Sequence, residues 1–368
     1  MRVSIDGVAG ACGVAALLFI TTAAADPAYD HHIRLTPENS AIGNFPAQKT
    51  PILTIKSGDT VRFDTGGGAG WQRDKVDPDA WLKEHNVPVT ANAPAVKETI
   101  EVLARTERYA GIEGGHLLVG PVAIEGAMPG DSIEVRVHVV EPRIPYGTTG
   151  RTPGRGLKQI EGDRPPAKVT VFDLERDVAL FGPGVEVPLG PFMGVMGLLP
   201  PDSDGANRRS GPPGLFAGNL DLKELTNGST LYIPVFHPGG LFFTGDAHAA
   251  QGDGEISGTA IETANTAILE FLLHKGKTLS APRAETATHY IAIGLDPDLD
   301  NAMQMAADQT VEWLAELKGY DLFTSIPLAS IGVDYRITQI VDGTKGVHAM
   351  IPKKFFIDHA DDYWYRPR

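Results

Sequence analysis

The stretch PGDSIEVRVHVV, residues 129–140, decides the fold class. A turn of proline, glycine and aspartate precedes alternating apolar and polar residues, and this alternation places the apolar side chains on one face of an extended strand. The segments SGDTVRFD at residues 57–64 and NGSTLYIPVF at residues 227–236 repeat the design. The three segments predict a mainly β fold of sandwich- or barrel-like units, and their similarity is compatible with a duplication.

Residues 297–319, PDLDNAMQMAADQTVEWLAELKG, predict one long helix. Asp298 or Asp300 can cap its N-terminus, and Gly319 can end it. The apolar residues that recur at helical spacing are Met303, Ala307, Val311, Leu314 and Leu317. Because the strand-like segments YRITQIV and GVHAMIPK follow, we expect a C-terminal α+β part appended to the β units.

We expect the chain after residue 25 to form one domain with three parts. These parts are an N-terminal β unit (residues 26–140), a loop-rich segment (residues 141–218) and a second β unit with the C-terminal helix (residues 219–368). The middle part is predicted from its many glycines and prolines. Its apolar run PFMGVMGLLPP favours an ordered loop that lines a cavity and includes Met196, with a surface loop packed over the core as the alternative.

The first 25 residues have the pattern of a secretory signal peptide. One arginine precedes an apolar run, and the small residues Ala23 and Ala25 form an A-x-A cleavage site. A membrane anchor is the alternative, but the run is barely long enough to span a bilayer and lacks basic residues after it. We therefore expect a secreted or periplasmic protein without a membrane segment after cleavage. The single cysteine, Cys12, lies inside this signal, which excludes a cysteine nucleophile in the mature chain.

The net charge limits the class of partner. The formal charge of −14 at pH 7 and the lack of a basic run argue against nucleic-acid binding, because a phosphate backbone would be repelled. Neutral or cationic small molecules are better candidates for a ligand.

The stretch GDAHAAQGDGE, residues 245–255, carries an unusual density of polar chemistry. In an extended strand Asp246 and His248 share one face. The next three polar residues are also spaced two apart and would share a face of their own: Gln251, Asp253 and Glu255. A bend at the small residues between the two sets would bring them to a common cavity. A helix is a poor alternative because each interior glycine costs about 1 kcal/mol relative to alanine.

Three carboxylates at this spacing repel one another unless they are solvated, one is protonated, or a cation offsets their charge. Histidine with aspartate or glutamate, and no cysteine, is the ligand set of a catalytic zinc ion or another borderline divalent ion. The residues alone therefore leave two readings open, a metal or catalytic site and a solvated acidic turn.

The longer run GDAHAAQGDGEISGTAIET resembles the acetamidase/formamidase family. Family-like segments precede and follow it in the same order: GGHLLVGPVAIEGAMPGDSIEVRV, PFMGVMGLLP, GNLDLKELTNGSTLYIPVF, PRAETATHYIAIGLDPDLDNAM and RITQIVDGTKGVHAMIPK. The resemblance extends from about residue 31 to residue 356. It implies hydrolysis of short aliphatic amides to a carboxylate and ammonia on a β-rich fold, with a divalent metal.

The family resemblance points to these segments, and the chemistry of their residues gives each a candidate role. The candidate metal ligands are Asp221 and His248, with Asp246 or His116; the catalytic candidates are Glu255 and Asp253; and the candidate substrate-binding residues are Asn219, Gln251 and Met196. Glu255 is expected to take a proton from water and to pass it to the leaving nitrogen. Asp253, between two glycines, has the alternative role of fixing the turn. Zinc is the expected metal, with calcium as the alternative.

Two features depart from the family. The insert GGGAGWQRDKVDPDAWLKEHNVP, residues 66–88, matches no family pattern and could reshape the pocket. The signal peptide would place the enzyme where it meets different amides. Two alternatives stay open: amide hydrolysis by an activated serine, and a secreted non-catalytic β-sandwich protein that binds calcium or a small ligand. We also expect a homo-oligomer.

Overall fold

A computed structural model describes residues 28–109, 112, 114–150, 156 and 167–357. The predicted signal peptide and Cys12 lie outside these residues. Within them the strands, in chain order, are β1 His31–Ile33, β2 Ser40–Ile42, β3 Asn44–Pro46, β4 Leu53–Ile55, β5 Thr60–Asp64, β6 Leu117–Ile124, β7 Ser132–Pro142, β8 Tyr146–Thr149, β9 Lys168–Asp173, β10 Val178–Gly182, β11 Val185–Pro188, β12 Phe192–Gly197, β13 Asn207–Arg209, β14 Ala217–Asn219, β15 Thr230–Pro234, β16 Phe242–His248, β17 Glu262–Thr263, β18 Asn265–His274, β19 Arg283–Glu285, β20 His289–Asp296, β21 Asp334–Gln339 and β22 Lys345–Pro352. The helices are α1 Gly70–Asp74, α2 Pro78–Glu84, α3 Pro94–Arg105, α4 Leu299–Lys318 and α5 Leu322–Gly332.

Two large sheets contain nearly all of these strands. The first has nine strands in the order β1-β5-β18-β7-β15-β19-β20-β22-β21. The second has eleven, of which eight follow the order β11-β10-β9-β8-β17-β16-β12-β14, while β6 pairs with β16, β2 and β4. Strands β3 and β13 form a separate pair. The prediction of a mainly β protein is confirmed.

The two sheets pack face to face over an apolar core. Phe242 on β16 of the second sheet meets Phe63 on β5 and Phe271 on β18 of the first, at ring-centroid distances of 5.9 Å and 4.9 Å. All three side chains are fully buried. This core explains the alternation of apolar and polar residues in the stretch 129–140, because Ile133, Val135 and Val137 belong to it.

The two predicted β units share both sheets. In the first sheet β7, from the N-terminal unit, lies between β15 and β18 of the second unit. In the second sheet β6 pairs with β16 in the same way. Strands from residues 26–140 and 219–368 therefore alternate within one layered body.

Residues 141–218 correct the prediction of a segment made mainly of loops. Their described part contains seven strands, β8 to β14. These strands have three to six residues each and are separated by segments rich in glycine and proline. They are too short to show a clear alternation of apolar and polar residues. The apolar run that was predicted as an ordered loop is instead β12, a fully buried strand between β14 and β16.

The predicted C-terminal helix is confirmed as α4. The side chain of Asp298 accepts hydrogen bonds from the backbone N–H groups of Asp300 and Asn301, and Gly319 ends the helix in the left-handed conformation. The buried face of α4 is shifted from the predicted apolar stripe. Met303, predicted to be buried, is 38% exposed, whereas the buried residues of the helix begin with Ala302 and Ala306. Small side chains are needed on the buried face because β20 approaches closely, and a Cβ on Gly294 would lie 2.1 Å from the Ala302 carbonyl oxygen. Helix α5, which packs beside α4, was not predicted.

The insert at residues 66–88 forms α1 and α2, together with the loops on either side of them. Trp71 and Trp81 pack edge to face, and Trp81 also packs on Tyr146 of β8. A Cβ on Gly67 would lie 1.9 Å from the carbonyl oxygen of Thr263, so the glycine allows the insert to lie directly on β17. None of the described helices is long and apolar enough to cross a membrane.

Candidate active site

A polar cavity of about 470 Å³ opens where the insert meets the second sheet. The ends of β14 and β16, the turn before β17, and β17 itself supply its polar wall. The side chains in this wall include His116, Asn219, Asp221, Asp246, Glu255, Glu262 and Asp342. The insert supplies the opposite wall with Gly66, Gly67, Gly68, Ala69 and Gln72. The residues predicted to reshape the pocket therefore line it.

His248, the last residue of β16, is 1% exposed and contacts three acidic residues of the polar wall. Its Nδ1 atom is 3.8 Å from Oδ1 of Asp221. Its Nε2 atom is 3.4 Å from Oδ2 of Asp246 and 3.4 Å from Oε1 of Glu262. The edge-to-face contact with Phe192 on β12, 4.9 Å between ring centroids, fixes the plane of the imidazole. Each ring nitrogen therefore faces its own carboxylates.

The Nδ1 side of the ring has the composition of a metal site. Asp221, His248 and Glu255 are all buried, and each offers a ligand atom within 4.8 Å of the others. Among the described residues, Oδ1 of Asp221 and Nδ1 of His248 are buried and find no hydrogen-bond partner. These two atoms and the third carboxylate can all serve as ligands of a divalent cation, and buried polar atoms without a partner are otherwise costly.

Glycine at position 194 keeps this side of the ring open. A Cβ built on Gly194 would lie 2.7 Å from both Oδ1 of Asp221 and Cε1 of His248, and 2.8 Å from Oδ2 of Asp246. Any side chain on this residue of β12 would therefore displace the three groups. The family-like segment PFMGVMGLLP contributes this glycine rather than a ligand.

Three of the acidic residues have backbone conformations that side chains rarely adopt. The φ angle is 50° at Asp221, 54° at Asp246 and 45° at Glu255. The left-handed region costs about 1 to 3 kcal/mol for a residue other than glycine. Three such residues around one histidine indicate that the backbone is held in this shape to aim their carboxylates.

Asn219 joins two of the carboxylates. Its Nδ2 atom donates to Oδ2 of Asp221 at 2.9 Å and to Oδ2 of Asp342 at 3.0 Å. The amide oxygen, Oδ1, is buried and has no hydrogen-bond partner in the protein. Asn219 can thus hold Asp221 in place and still offer an acceptor to a ligand.

Crowding of the carboxylates changes their acidity. Burial raises the pKa of Glu255 to about 9, and Asp342 adds to the effect through its negative charge. Burial raises the pKa of Asp221 well above its ordinary value, with further contributions from Glu255 and Asp342. Burial likewise raises the pKa of Glu262. A site without a cation therefore holds protons on carboxylates that would be ionised in water.

The Nε2 side of the ring behaves differently. Burial alone would raise the pKa of Asp246, but the positive charges of His116 and His248 lower it below its ordinary value. Burial opposes protonation of His248, yet Glu262 and Asp246 raise its pKa well above the ordinary value. The imidazolium form of His248 is therefore favoured when no cation is bound, with the Nε2 proton between Asp246 and Glu262.

The structure divides the four predicted metal ligands between the two nitrogens. Asp221 approaches Nδ1, whereas Asp246 approaches Nε2. His116 contacts Asp246, with 3.7 Å between Nε2 of His116 and Oδ2 of Asp246. A cation on Nδ1 has Asp221 and Glu255 beside it, and Asp246 then orients the ring from behind.

Three other predicted residues are not brought into the cavity wall. Asp253 pairs with Lys223 at 2.8 Å on the outer side of the turn. Met196 packs in the main apolar core. Gln251 donates from Nε2 to the backbone carbonyl of Asp221 at 2.7 Å, so it supports the loop that carries Asp221.

The sequence reasoning missed Glu262, Asp342 and Gly194. Glu262 belongs to the run GTAIET and is paired with His248 across β16 and β17. Asp342 lies in the segment VDGTKG, in the turn between β21 and β22. The signal for both was present in the family-like segments, but only the folded sheets bring them to the cavity.

Comparison with known proteins decides the relationship. Residues 202–358 match the sequence model of the Acetamidase/Formamidase family. These residues are thus similar in sequence to the acetamidase/formamidase family. Asn219, Asp221, Asp246, His248, Glu255, Glu262 and Asp342 all lie inside the matched region. The resemblance read from the sequence is confirmed.

Individual members of the acetamidase/formamidase family give the same relationship. The acetamidase of Mycolicibacterium smegmatis is 27% identical over 201 residues, which are 39% of this chain and 49% of that protein. The formamidase of Methylophilus methylotrophus is 28% identical over 197 residues, which are 39% of this chain and 47% of that protein. The chain therefore spans about half the length of these curated relatives.

A solved acetamidase extends the likeness to the whole fold. The crystal structure of the acetamidase from Bacillus halodurans superimposes with a TM-score of 0.70 at 29% sequence identity. The match covers 88% of this chain and 99% of that chain. The likeness thus extends well beyond the region that matches the family model.

Proposed function

We propose that this protein hydrolyses a short aliphatic amide, of the size of formamide or acetamide, to a carboxylate and ammonia with the help of a divalent cation. The observation that carries the proposal is the group of Asp221, His248 and Glu255, which offers three ligand atoms within 4.8 Å of one another and whose two carboxylates line a polar cavity. Its residues lie in the region that is similar in sequence to the acetamidase/formamidase family.

Zinc is the cation that suits this group best. The donors are one imidazole nitrogen and carboxylate oxygens, a set typical of catalytic zinc, whereas calcium prefers oxygen donors alone. Asp221 and His248 would hold the ion. When bound there, it would supply the positive charge that polarises water or the amide carbonyl.

Glu255 is the proposed acid and base. Its carboxyl group lies in the cavity wall beside Asp221 and His248, where it can reach water or an amide nitrogen. Burial raises its pKa to about 9 in the absence of a cation, and a nearby positive charge would return it to the ionised form. The carboxylate takes a proton from the attacking water and passes it to the nitrogen, which then leaves as ammonia.

Asp246 and Glu262 are positioning residues for His248. Both face Nε2 at 3.4 Å, so they accept the proton of that nitrogen and turn the lone pair of Nδ1 towards Asp221. Carboxylates commonly orient metal-binding histidines in this way. His116, beside Asp246, adds to the positive charge that keeps this carboxylate ionised.

Selection of a small primary amide rests on Asn219 and on the insert. The unpartnered Oδ1 atom of Asn219 can accept a hydrogen bond from the N–H group of an unsubstituted amide. Gly66, Gly67 and Gly68 lie opposite and limit the space for the acyl group. A buried acceptor discriminates strongly against a substrate that lacks the matching N–H.

The proposal is tested by ammonia release from formamide, acetamide and propionamide, before and after treatment with a chelator. Chelation should abolish ammonia release, and added zinc should restore it. Ammonia release that survives removal of the metal would favour an activated serine instead. A protein that turns over none of the three amides and retains one equivalent of calcium would be the non-catalytic binding protein.

Location and assembly are further parts of this proposal. The signal-like sequence of residues 1–25 supports a secreted or periplasmic enzyme that begins at Asp26. N-terminal sequencing of the protein from the periplasm tests this, and an intact N-terminus would contradict it. Light scattering of the purified protein tests the expected homo-oligomer, and the mass of a single chain would contradict that expectation.

A further inference from the structure

A second group of ligating side chains lies beside the turn that carries Glu255. Glu224, Asp253 and His348 each offer a ligand atom within 4.8 Å of the others. The three residues come from the loop after β14, the turn before β17, and β22. None of them is among the described residues that line the active-site cavity.

The histidine of this group has an unused nitrogen. His348 is 1% exposed at its side chain, and its Nδ1 atom is 2.8 Å from the hydroxyl oxygen of Thr338. Its Nε2 atom is buried, has no hydrogen-bond partner among the described residues, and faces Oε2 of Glu224 at 3.5 Å. Within the same part of the chain, that carboxylate oxygen is also buried and without a hydrogen-bond partner.

These two atoms are spaced to hold a cation between them. When Nδ1–H donates to Thr338, the lone pair of Nε2 is directed at a carboxylate oxygen, and two acceptors repel each other. A proton on Nε2 would relieve this, but charge-assisted N–H···O bonds are about 2.7 to 2.9 Å long, well below 3.5 Å. Ligands about 2.0 to 2.1 Å from a tetrahedral zinc ion lie about 3.3 Å apart, which is closer to the observed separation.

The remaining contacts hold the carboxylates in place. Nη1 of Arg336 is 3.3 Å from Oε1 of Glu224, and Nζ of Lys223 is 2.8 Å from Oδ1 of Asp253. Each cationic side chain thus engages one oxygen of a carboxylate. Because these contacts already balance two negative charges, a hard cation such as calcium gains little here. The free imidazole nitrogen selects a borderline transition metal instead.

We infer that Glu224, Asp253 and His348 bind a second divalent ion of the zinc class, separate from the catalytic group. Such an ion would tie three distant parts of the chain together. It would also fix the turn that carries Glu255, because Gly254 donates its N–H to the carbonyl of Thr338 and accepts from the N–H of Ile340. The second ion is therefore structural, and it acts on the catalytic turn from outside the cavity.

Zinc stoichiometry tests the inference on the full chain. The purified protein is stripped with a chelator, reloaded with zinc chloride, dialysed and measured by plasma mass spectrometry. The unmodified protein should hold two zinc ions per chain, and His348→Gln and Glu224→Gln should each hold one. His138→Gln, which removes an exposed histidine on β7, is the matched control and should hold two. Equal zinc content in the unmodified protein and both site variants would overturn the inference.

A second measurement does not depend on the folding of a variant. Crystals of the unmodified protein, grown with zinc chloride, should show an anomalous difference peak at the zinc edge between Nε2 of His348 and Oε2 of Glu224. The absence of that peak would overturn the inference. Asp221→Asn should lose the peak beside His248 and keep the one beside His348, which separates this site from the proposed catalytic one.

Discussion

Nδ1 of His248 lies 3.8 Å from Oδ1 of Asp221, and neither buried atom has a hydrogen-bond partner among the residues that the structure describes. Without a cation, protons must occupy this space, because the pKa values of both groups are raised well above their ordinary values. A bound cation would take the place of these protons, and the rest of the cavity is arranged around it. Asp246 and Glu262 orient the imidazole, Gly194 leaves the space, and Glu255 completes the group.

Replacement of Asp221 should remove the cation. We expect Asp221→Asn to weaken zinc binding by at least about 10- to 100-fold, because the amide keeps the shape of the side chain but supplies no negative charge. Competition with a zinc-sensitive dye measures the affinity. Asp173→Asn, at the end of β9 and outside the cavity wall, is the control and should bind zinc as the unmodified protein does. Unchanged affinity in Asp221→Asn would exclude Asp221 as a ligand.

A methyl group at residue 194 should disturb the site directly. In Gly194→Ala the new Cβ would lie 2.7 Å from Oδ1 of Asp221, so this carboxylate and His248 must move. Displacement of catalytic groups by about 1 Å costs about 10²-fold in rate, and we expect a loss of that order in kcat. Gly190→Ala is a close control, because no atom lies within 4 Å of its Cβ. Equal losses in the two variants would show that the space beside Gly194 has no special role.

Glu262 should act through His248. Glu262→Gln keeps a hydrogen-bond acceptor but removes the charge that faces Nε2, so the imidazole is held less firmly and is a weaker ligand. We expect zinc affinity to fall about 10-fold or more while KM for acetamide changes little. A rise in KM with unchanged zinc affinity would instead indicate that Glu262 contacts the substrate.

The acidity of Glu255 should appear in the stability of the metal-free protein. Burial raises its pKa from 4.5 to about 9. Between these values the folded state keeps a proton that the unfolded state has lost, so the free energy of unfolding should fall as pH rises from about 5 to 9. One such group contributes a slope of at most about 1.4 kcal/mol per pH unit. Urea unfolding across this range should show a shallower decline in Glu255→Gln, and an identical decline would refute the assignment.

The sequence predicted those parts of the molecule that depend on local pattern. The alternation at residues 129–140 and the capping residues of α4 gave the β core and the C-terminal helix, since each is determined by neighbouring residues. The buried face of α4 was shifted from the predicted stripe because Gly294 on β20 admits only small side chains, a constraint from a strand outside the helix.

The part of the candidate site that lies within one segment of sequence was predictable, and the part that depends on the fold was not. Asp246 and His248 lie two residues apart on β16, and Glu255 follows on the next turn, so one segment of sequence contained the centre of the site. Glu262 reaches His248 through the pairing of β16 with β17, and Asp342 reaches Asn219 from a turn 123 residues away. The carboxylates that approach each nitrogen of His248 are determined by backbone angles, and the spacing of residues in the sequence does not predict those angles.

The central claim is that Glu255 moves the proton during amide hydrolysis. Ammonia release from acetamide by zinc-loaded Glu255→Gln, compared with the unmodified protein and with Glu186→Gln on the exposed strand β11, tests it most directly. The account predicts a kcat about 10²- to 10⁴-fold lower in Glu255→Gln and unchanged in Glu186→Gln. Ammonia release by Glu255→Gln at the rate of the unmodified protein would contradict it.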